Sequence, residues 1–147
     1  MKISKKGIYA IESMTDLAIY SADSVESIKN VAARRNLSEK YLEQIMGALR
    51  RANLIESTRG AAGGYRLAKP AIEITVLEIL NATETNMVPV ECLVGESECG
   101  IDCDKCATRT VWYDYWMQVI QVCQKITLQD IINQSKETKK ASVEYFI

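Results

Sequence analysis

Residues 37–68 constrain the fold most, because a strongly amphipathic helix there leads directly into a glycine-rich hairpin. Ser38 is placed as an N-cap, and Leu37 before it pairs with Leu42 at the spacing of a hydrophobic staple. Apolar residues then recur at the spacing of one buried helix face, namely Leu42, Ile45, Met46 and Leu49. A helix with such a narrow apolar stripe must pack by that side and leave the other side to solvent or a partner.

The flanking segments extend this unit. "LIESTRGAAGGYRLAKP" predicts a strand over 54–58, a turn over 59–64 and a strand over 65–68. Before the amphipathic helix, "SVESIKNVAARRN" predicts a short helix whose inner face carries Ile28, Val31 and Ala32. Two helices joined by a short connection and followed by a hairpin predict a mainly α fold, a winged helix-turn-helix.

Further helices are expected before and after this unit in the chain. The first should run from Ser4 into "SADS" and bury Ile8, Ile11, Met14 and either Leu17 or Ala18. Thr75 and Glu78 have the spacing of a capping box for a fourth helix, and Thr127 with Asp130 caps "LQDIINQS" before a polar tail. We predict a winged-helix domain over 1–84, a cysteine-rich loop over 85–107, and a dimerisation helix with a C-terminal helix and tail over 108–147.

The helix predicted over 108–125 carries apolar residues in the rhythm of a coiled-coil seam. They are Trp112, Tyr115, Val119, Val122 and Ile126. Trp116, Ile120 and Cys123 widen the stripe to a second face. One face suffices to pack on the parent domain, so two faces predict a partner helix and a homodimer.

Charge is divided between the halves. Residues 1–70 carry 12 Lys and Arg against 7 Asp and Glu, whereas residues 71–147 carry 6 against 12. This asymmetry favours a polyanion as the partner of the first half. No apolar run suits a signal peptide or a membrane span, which favours a cytoplasmic protein. The chain has no histidine, and neither a nucleophile–base pair nor a phosphate loop is visible, so we do not expect an enzyme.

Double-stranded DNA is the polyanion that this layout suits, since an α-helix fits the major groove. The candidates for base contacts are Tyr41, Glu43 and Gln44 on the helix and Arg59 at the tip of the wing. The candidates for phosphate contacts are Lys2, Lys5, Lys40, Arg50, Arg51 and the helix N-terminus at Ser38. The alternative is that these side chains form only a solvated helix face.

"MKISKKGIYAI", "LSEKYLEQIMGALRRANLIESTRGAAGGYRL" and "CATRTVW" resemble one bacterial family of winged-helix regulators. It includes the iron–sulfur cluster regulator IscR, the nitric-oxide sensor NsrR and the cysteine-metabolism repressor CymR. The resemblance implies a homodimer on a pseudo-palindromic operator, with Glu43, Gln44 and Arg59 at DNA-contact positions. It also implies that Cys92, Cys99 and Cys106 hold an iron–sulfur cluster, either 2Fe–2S or 4Fe–4S.

The identity of the fourth ligand of the cluster stays open. Arg109 occupies the position of a histidine ligand in some relatives, and a guanidinium offers no acceptor. Cys103 is an extra cysteine that could supply the fourth thiolate, and the loop also offers the carboxylates of Glu96, Glu98, Asp102 and Asp104. A zinc site with four cysteine ligands is one alternative, although the spacing lacks two short knuckles. A thiol–disulfide switch between Cys103 and Cys106 is another.

A different route of regulation is suggested by the C-terminus. The chain ends in Tyr145, Phe146 and Ile147, and the resemblance to CymR suggests cysteine synthase as a partner that accepts the terminal isoleucine. The alternative is that this tail packs on the dimer helix. Cys123, outside the cysteine-rich loop, is most simply a small buried apolar side chain.

Overall fold

The computed structural model describes residues 1–95 and 99–145, without the side chains of 142–145. Six α-helices and one two-stranded sheet follow in the order α1 (Lys5–Tyr20), α2 (Ile28–Arg35), α3 (Glu39–Arg51), β1 (Ile55–Thr58), β2 (Gly64–Leu67), α4 (Val76–Thr83), α5 (Arg109–Lys125) and α6 (Leu128–Tyr145). Short 3-10 helices span Ala71–Glu73, Glu91–Leu93 and Cys103–Lys105. The mainly α winged-helix prediction is confirmed.

Serine side chains begin each of the first three helices. The hydroxyls of Ser4, Ser27 and Ser38 each accept a hydrogen bond from the backbone N–H three residues later, at 3.1, 3.1 and 3.3 Å. Each bond satisfies one of the backbone donors that a helix start leaves without a partner. Asn36 ends α2 in the left-handed region with φ of 53°, which turns the chain sharply toward α3.

The core lies between α1, α3, α4 and the start of α6. Its fully buried large side chains include Met14, Leu17, Leu42, Ile45, Met46, Leu49, Ile74, Ile79 and Leu128. The predicted face of α3 is confirmed. On α1 the prediction was wrong for Ile8, which is 48% exposed, because the buried face runs through Gly7, Ala10, Met14 and Leu17. The helix also ends at Tyr20 rather than continuing into residues 21–24.

β1 and β2 form an antiparallel hairpin whose register pairs Ile55 with Leu67 and Thr58 with Gly64. Glu26 adds a single bridge to Tyr65, with both backbone hydrogen bonds at 2.8 Å. A Cβ on Gly64 would lie 2.3 Å from the Glu26 carbonyl oxygen, so only glycine permits this close approach. The wing is thereby fastened to the segment that precedes α2.

The two predicted capping motifs of the second half are both present. The Thr75 hydroxyl accepts from the Glu78 N–H at 3.2 Å, and the Glu78 carboxylate accepts from the Thr75 N–H at 2.9 Å. Thr127 and Asp130 make the same exchange at the start of α6. Beyond residue 135, where a polar tail was predicted, α6 continues to Tyr145; the prediction was wrong because "KETKKASVEY" contains no glycine or proline to end the helix.

A buried carboxylate joins α1 to α2. Asp16 is fully buried and accepts hydrogen bonds from Arg34 Nη2 at 2.6 Å, from Arg34 Nε at 3.0 Å and from Arg35 Nε at 3.2 Å. Arg34 also pairs with Glu26 and lies 4.0 Å above the ring of Tyr20, and the bond to Asp16 raises the pKa of Arg34. This network ties α2 to α1.

Within the described part of the chain, none of the helices combines the length and the apolar character that crossing a membrane requires.

Candidate nucleic-acid interface and cysteine pocket

The solvent-facing side of α3 presents the predicted polar side chains. Lys40, Glu43, Gln44 and Arg51 are exposed there, opposite the buried face. Tyr41 differs from them, because it is half-buried and its ring packs edge-on against Tyr9 with centroids 5.9 Å apart. Its ring therefore supports the N-terminal end of α3 against α1.

Ion pairing separates the basic side chains of the first half into two groups. Four of them are bound to carboxylates within the chain, namely Arg34, Arg35, Arg66 and Lys69. Among the residues that the structure describes, no carboxylate lies within ion-pair distance of Lys2, Lys5, Lys6, Lys29, Lys40, Arg50, Arg51 or Arg59. The second group contains all the basic phosphate and base candidates, and these charges are available to an external anion.

Three of these available cations line one groove of about 420 Å³ between the start of α2, the end of α3 and the wing. They are Lys29, Arg50 and Arg59. Arg50 Nη1 donates to the Ser57 hydroxyl at 3.2 Å, which holds its side chain against β1. Lys29 was not predicted as a DNA contact, because its place in this groove depends on the wing folding back beside α2.

The cysteine-rich segment forms the second candidate site. Cys92, Cys99 and Cys106 line one pocket of about 520 Å³, together with apolar Pro89, Val90, Ile101 and Trp112. Glu91 and Thr108 also contribute to the wall of this pocket. The three cysteines are separated by six residues in each gap, and the fold of the loop places them in the wall of the same pocket.

Cys103 contributes to a different pocket. It lines a neighbouring pocket with Cys106, Arg109 and Tyr113 rather than the pocket of the three thiols. Arg109 Nη2 donates to the Cys92 carbonyl oxygen at 3.3 Å, so this side chain fastens the first cysteine segment to the start of α5. In the described residues, no three His, Cys, Asp or Glu side chains stand close enough to hold one metal ion.

The Cys106 thiol lies beside the hydroxyl of Thr108 and the charge of Arg109. Its Sγ lies 3.6 Å from the Thr108 hydroxyl. Hydrogen bonding with Thr108, aided by the nearby Arg109 charge, lowers the pKa of the Cys106 thiol. The Thr108 hydroxyl also accepts from the Trp112 indole N–H at 3.2 Å. The thiolate form that a metal requires is therefore favoured at the N-terminal end of α5. Cys123 was predicted to be a small buried side chain but is only half-buried, and this partial burial raises the pKa of its thiol.

α5 carries a large unpartnered apolar surface, since the structure buries none of its residues. Of the predicted seam, Trp112, Tyr115, Val122 and Ile126 are exposed and Val119 is half-buried. Tyr115, Val119, Val122 and Cys123 line a shallow apolar groove of about 260 Å³ with Gln118. Trp116 and Ile120 on the second face are half-buried.

A family described as "Rrf2: Iron-dependent Transcriptional regulator" matches residues 3–134. The chain belongs to the Rrf2 family. IscR of Pectobacterium atrosepticum, named an HTH-type transcriptional regulator, is 34% identical over 133 residues, covering 90% of this chain and 80% of that protein. Since the relatives of this Rrf2 chain are named as transcriptional regulators, it is a regulator of transcription and not an enzyme.

Solved structures agree with this Rrf2 membership. CymR, the global cysteine regulator of B. subtilis, is 36% identical with a TM-score of 0.75, covering 91% of this chain and 98% of that one. IscR of T. potens is 33% identical with a TM-score of 0.74, covering 94% and 90%. The resemblance to the family of IscR and CymR is confirmed.

Several predicted residues lie outside the described part of the chain. They are the carboxylates of Glu96 and Glu98, and Phe146 with the terminal Ile147. The predicted partnership with cysteine synthase and the carboxylate alternatives in that stretch stay predictions.

Proposed function

We propose that this regulator binds an operator in double-stranded DNA as a homodimer, and that an iron–sulfur cluster at Cys92, Cys99 and Cys106 controls the binding. The observation that carries the proposal is the convergence of those three thiols in one pocket at the start of α5. This pocket and the dimer surface share one helix, so a change at the pocket reaches the part of the molecule that spaces the two recognition helices.

DNA binding rests on the exposed face of α3 and the basic residues without intramolecular partners. Glu43 and Gln44 lie on the side that would enter the major groove, where a glutamine pairs with adenine and a glutamate accepts from cytosine. Arg59 at the wing suits the minor groove or a phosphate. Lys29 and Arg50 join it in one groove and suit the phosphate backbone.

Homodimerisation rests on α5. A 17-residue helix that exposes Trp112, Tyr115 and Val122 needs an apolar partner. An equivalent helix in a second copy supplies one through a two-fold contact. Such a dimer matches a pseudo-palindromic operator, because two-fold symmetry in the protein requires it in the DNA.

The residues present fit an iron–sulfur cluster. Thiolates are the usual ligands of such clusters, and the three thiols line a pocket with apolar walls. Cys103 lines the neighbouring pocket with Cys106 and does not line the pocket of the three thiols. On this ground we propose that the fourth ligand is not Cys103 but an oxygen ligand, for which Glu91 in the pocket wall is a candidate. When bound, the cluster would supply one-electron chemistry and sensitivity to oxidants.

We propose that the loaded and the empty site favour different conformations of the cysteine-rich loop. DNA affinity changes if the operator distinguishes these conformations. A coupling of about 1–3 kcal/mol changes the affinity roughly 5–150-fold, which suffices for a genetic switch.

The test compares loaded and chelator-emptied protein on an operator selected from a random duplex library. Fluorescence anisotropy at matched salt should give dissociation constants of loaded and emptied wild type that differ roughly 5–150-fold. Cys99→Ser should have the dissociation constant of the emptied wild type. The matched control Cys123→Ser should behave as wild type. Equal affinities of loaded and empty wild type would refute the switch.

A second candidate is a regulator of cysteine metabolism that acts through thiol oxidation. It is favoured by the similarity to CymR, the global cysteine regulator, and by the pocket that Cys103 and Cys106 share. Protein that contains no iron or sulfide after anaerobic reconstitution, yet loses DNA affinity on oxidation, would favour it over the cluster. Zinc with iron absent would instead favour a structural metal site.

A further inference from the structure

Glu26, which lies just before α2, ties the wing to the helix-turn-helix. Its backbone N–H donates to the Tyr65 carbonyl oxygen, and its carbonyl oxygen accepts from the Tyr65 N–H, both at 2.8 Å. A two-stranded hairpin alone is at best marginally stable in water. These two bonds add a pairing to the side of β2 that faces away from β1, so the position of the wing depends on them.

The backbone of Glu26 is itself held in place. Its side chain is 15% exposed and pairs with Arg34 on α2. The same guanidinium binds the fully buried Asp16 on α1, at 2.6 Å from Nη2 and 3.0 Å from Nε. A Cβ on Gly64 would meet the Glu26 carbonyl oxygen at 2.3 Å. The bridge, the ion pair and the glycine are separate observations that indicate one fixed approach of wing to α2.

This approach shapes the groove that carries the available cations. Tyr65, one half of the bridge, lines the groove together with the basic side chains of Lys29, Arg50 and Arg59. Lys29 belongs to α2, whereas Arg59 follows the last residue of β1. Because phosphates are regularly spaced along a duplex, the distance between α2 and the wing decides whether both cations reach the DNA together.

We propose that Glu26 is a positioning residue for DNA binding, which holds the wing so that Arg59 reaches the duplex while α3 occupies the major groove. The inference rests on the proposed function, because it needs an operator that the wing contacts. Glu26 acts through the backbone of Tyr65 and does not itself bind DNA. A wing that is already in its bound position loses less freedom on binding and so adds affinity. The contribution of Arg59 therefore depends on Glu26, whereas that of Gln44 on α3 does not.

The test is a double-mutant cycle on the duplex that wild type selects, at matched salt and with the cysteine site in one fixed state of loading. Fluorescence anisotropy gives the factor by which Arg59→Ala weakens binding, in wild type and in two backgrounds. Glu26→Ala removes the partner of Arg34, and Gly64→Ala displaces the Glu26 carbonyl. If Gly64→Ala does not fold, Glu26→Ala decides alone. Glu26→Gln is the matched control, since it loses the same charge but keeps an oxygen acceptor for Arg34.

We expect Arg59→Ala to weaken binding at least about fivefold in wild type, as the loss of a DNA contact does. In the Glu26→Ala and Gly64→Ala backgrounds this factor should fall to about twofold or less, and in Glu26→Gln it should stay near the wild-type value. Gln44→Ala should weaken binding by the same factor in every background, within the roughly twofold agreement of independent sites. A contact that serves only stability would lower the melting temperature and leave both factors unchanged.

Equal Arg59 factors in wild type and in the Glu26→Ala background would overturn the positioning role and leave DNA binding intact. A parallel fall of the Gln44 factor would overturn it as well, because the whole domain would then be affected. An Arg59 factor of one in wild type would leave the wing without a contact to position, with the same consequence. Wild type that selects no duplex would overturn the proposed function, and the role of Glu26 with it.

Discussion

The buried carboxylate of Asp16 gives the sharpest prediction about the fold. Its side chain is 1% exposed and binds both Arg34 and Arg35. Breaking a buried ion pair by removing one partner costs about 3–5 kcal/mol when the other charge is left buried. Here the two arginine side chains are 29% and 26% exposed and keep Glu26 and Glu12 as partners. We therefore expect Asp16→Ala to lower the free energy of unfolding by about 2–3 kcal/mol, below the full penalty.

Urea unfolding at fixed protomer concentration and fixed cluster content measures this change, because a bound cofactor or partner also adds stability. Thermal unfolding should show a melting temperature lower by about 4–12 °C, given about 2–4 °C per kcal/mol for a chain of this size. Glu12→Ala is the matched control on the same helix. Glu12 is 53% exposed, so its loss should cost less than about 1 kcal/mol. Equal effects of the two substitutions would refute the reasoning.

Three further outcomes are expected. Val122→Glu should convert the proposed dimer to monomer in sedimentation experiments, whereas Gln121→Glu should not, since Val122 lies on the exposed apolar seam of α5. Burial opposes ionisation of Glu78, but hydrogen bonds from Lys69 and Thr75 outweigh it and lower its pKa. The contribution of Glu78 to stability is thus complete above the unfolded pKa of about 4.3 and is lost as pH falls through the lower folded pKa. Unfolding curves of Glu78→Gln, recorded over the same pH range, should lack this loss of stability in acid. Gly64→Ala should weaken DNA binding and lower the melting temperature, because its Cβ would meet the Glu26 carbonyl at 2.3 Å.

Local patterns in the sequence predicted most elements because they depend on near neighbours. The N-cap at Ser38, the capping box of Thr75 and Glu78, and the buried face of α3 each involve residues within one or two helical turns. The wing was predicted for the same reason, with strand limits that differ by one residue. Ile8 was misplaced because several faces of α1 carry apolar residues, and only the packing of α1 against α4, α6 and its other neighbours selects the face with Gly7 and Ala10.

Long-range contacts were not predictable in this way. The pairing of Asp16 with two arginines on α2, and the contact of Glu84 with Ser4, join residues 18 to 80 positions apart. A charged residue among the apolar residues of a helix face, such as Asp16, only weakly indicates that it has an oppositely charged partner elsewhere in the chain. The same limit applies to the thiols. Spacing and resemblance singled out Cys92, Cys99 and Cys106, but only the folded loop shows that Cys103 lines a different pocket.

The most direct test of the central claim is iron and sulfide analysis of anaerobically purified wild type and of the four single Cys→Ser variants of the loop. We predict iron and sulfide in similar amounts in wild type and in Cys103→Ser, and loss of both in the variants of Cys92, Cys99 and Cys106. Loss of the cluster in Cys103→Ser, or its absence from reconstituted wild type, would contradict a three-thiol cluster site.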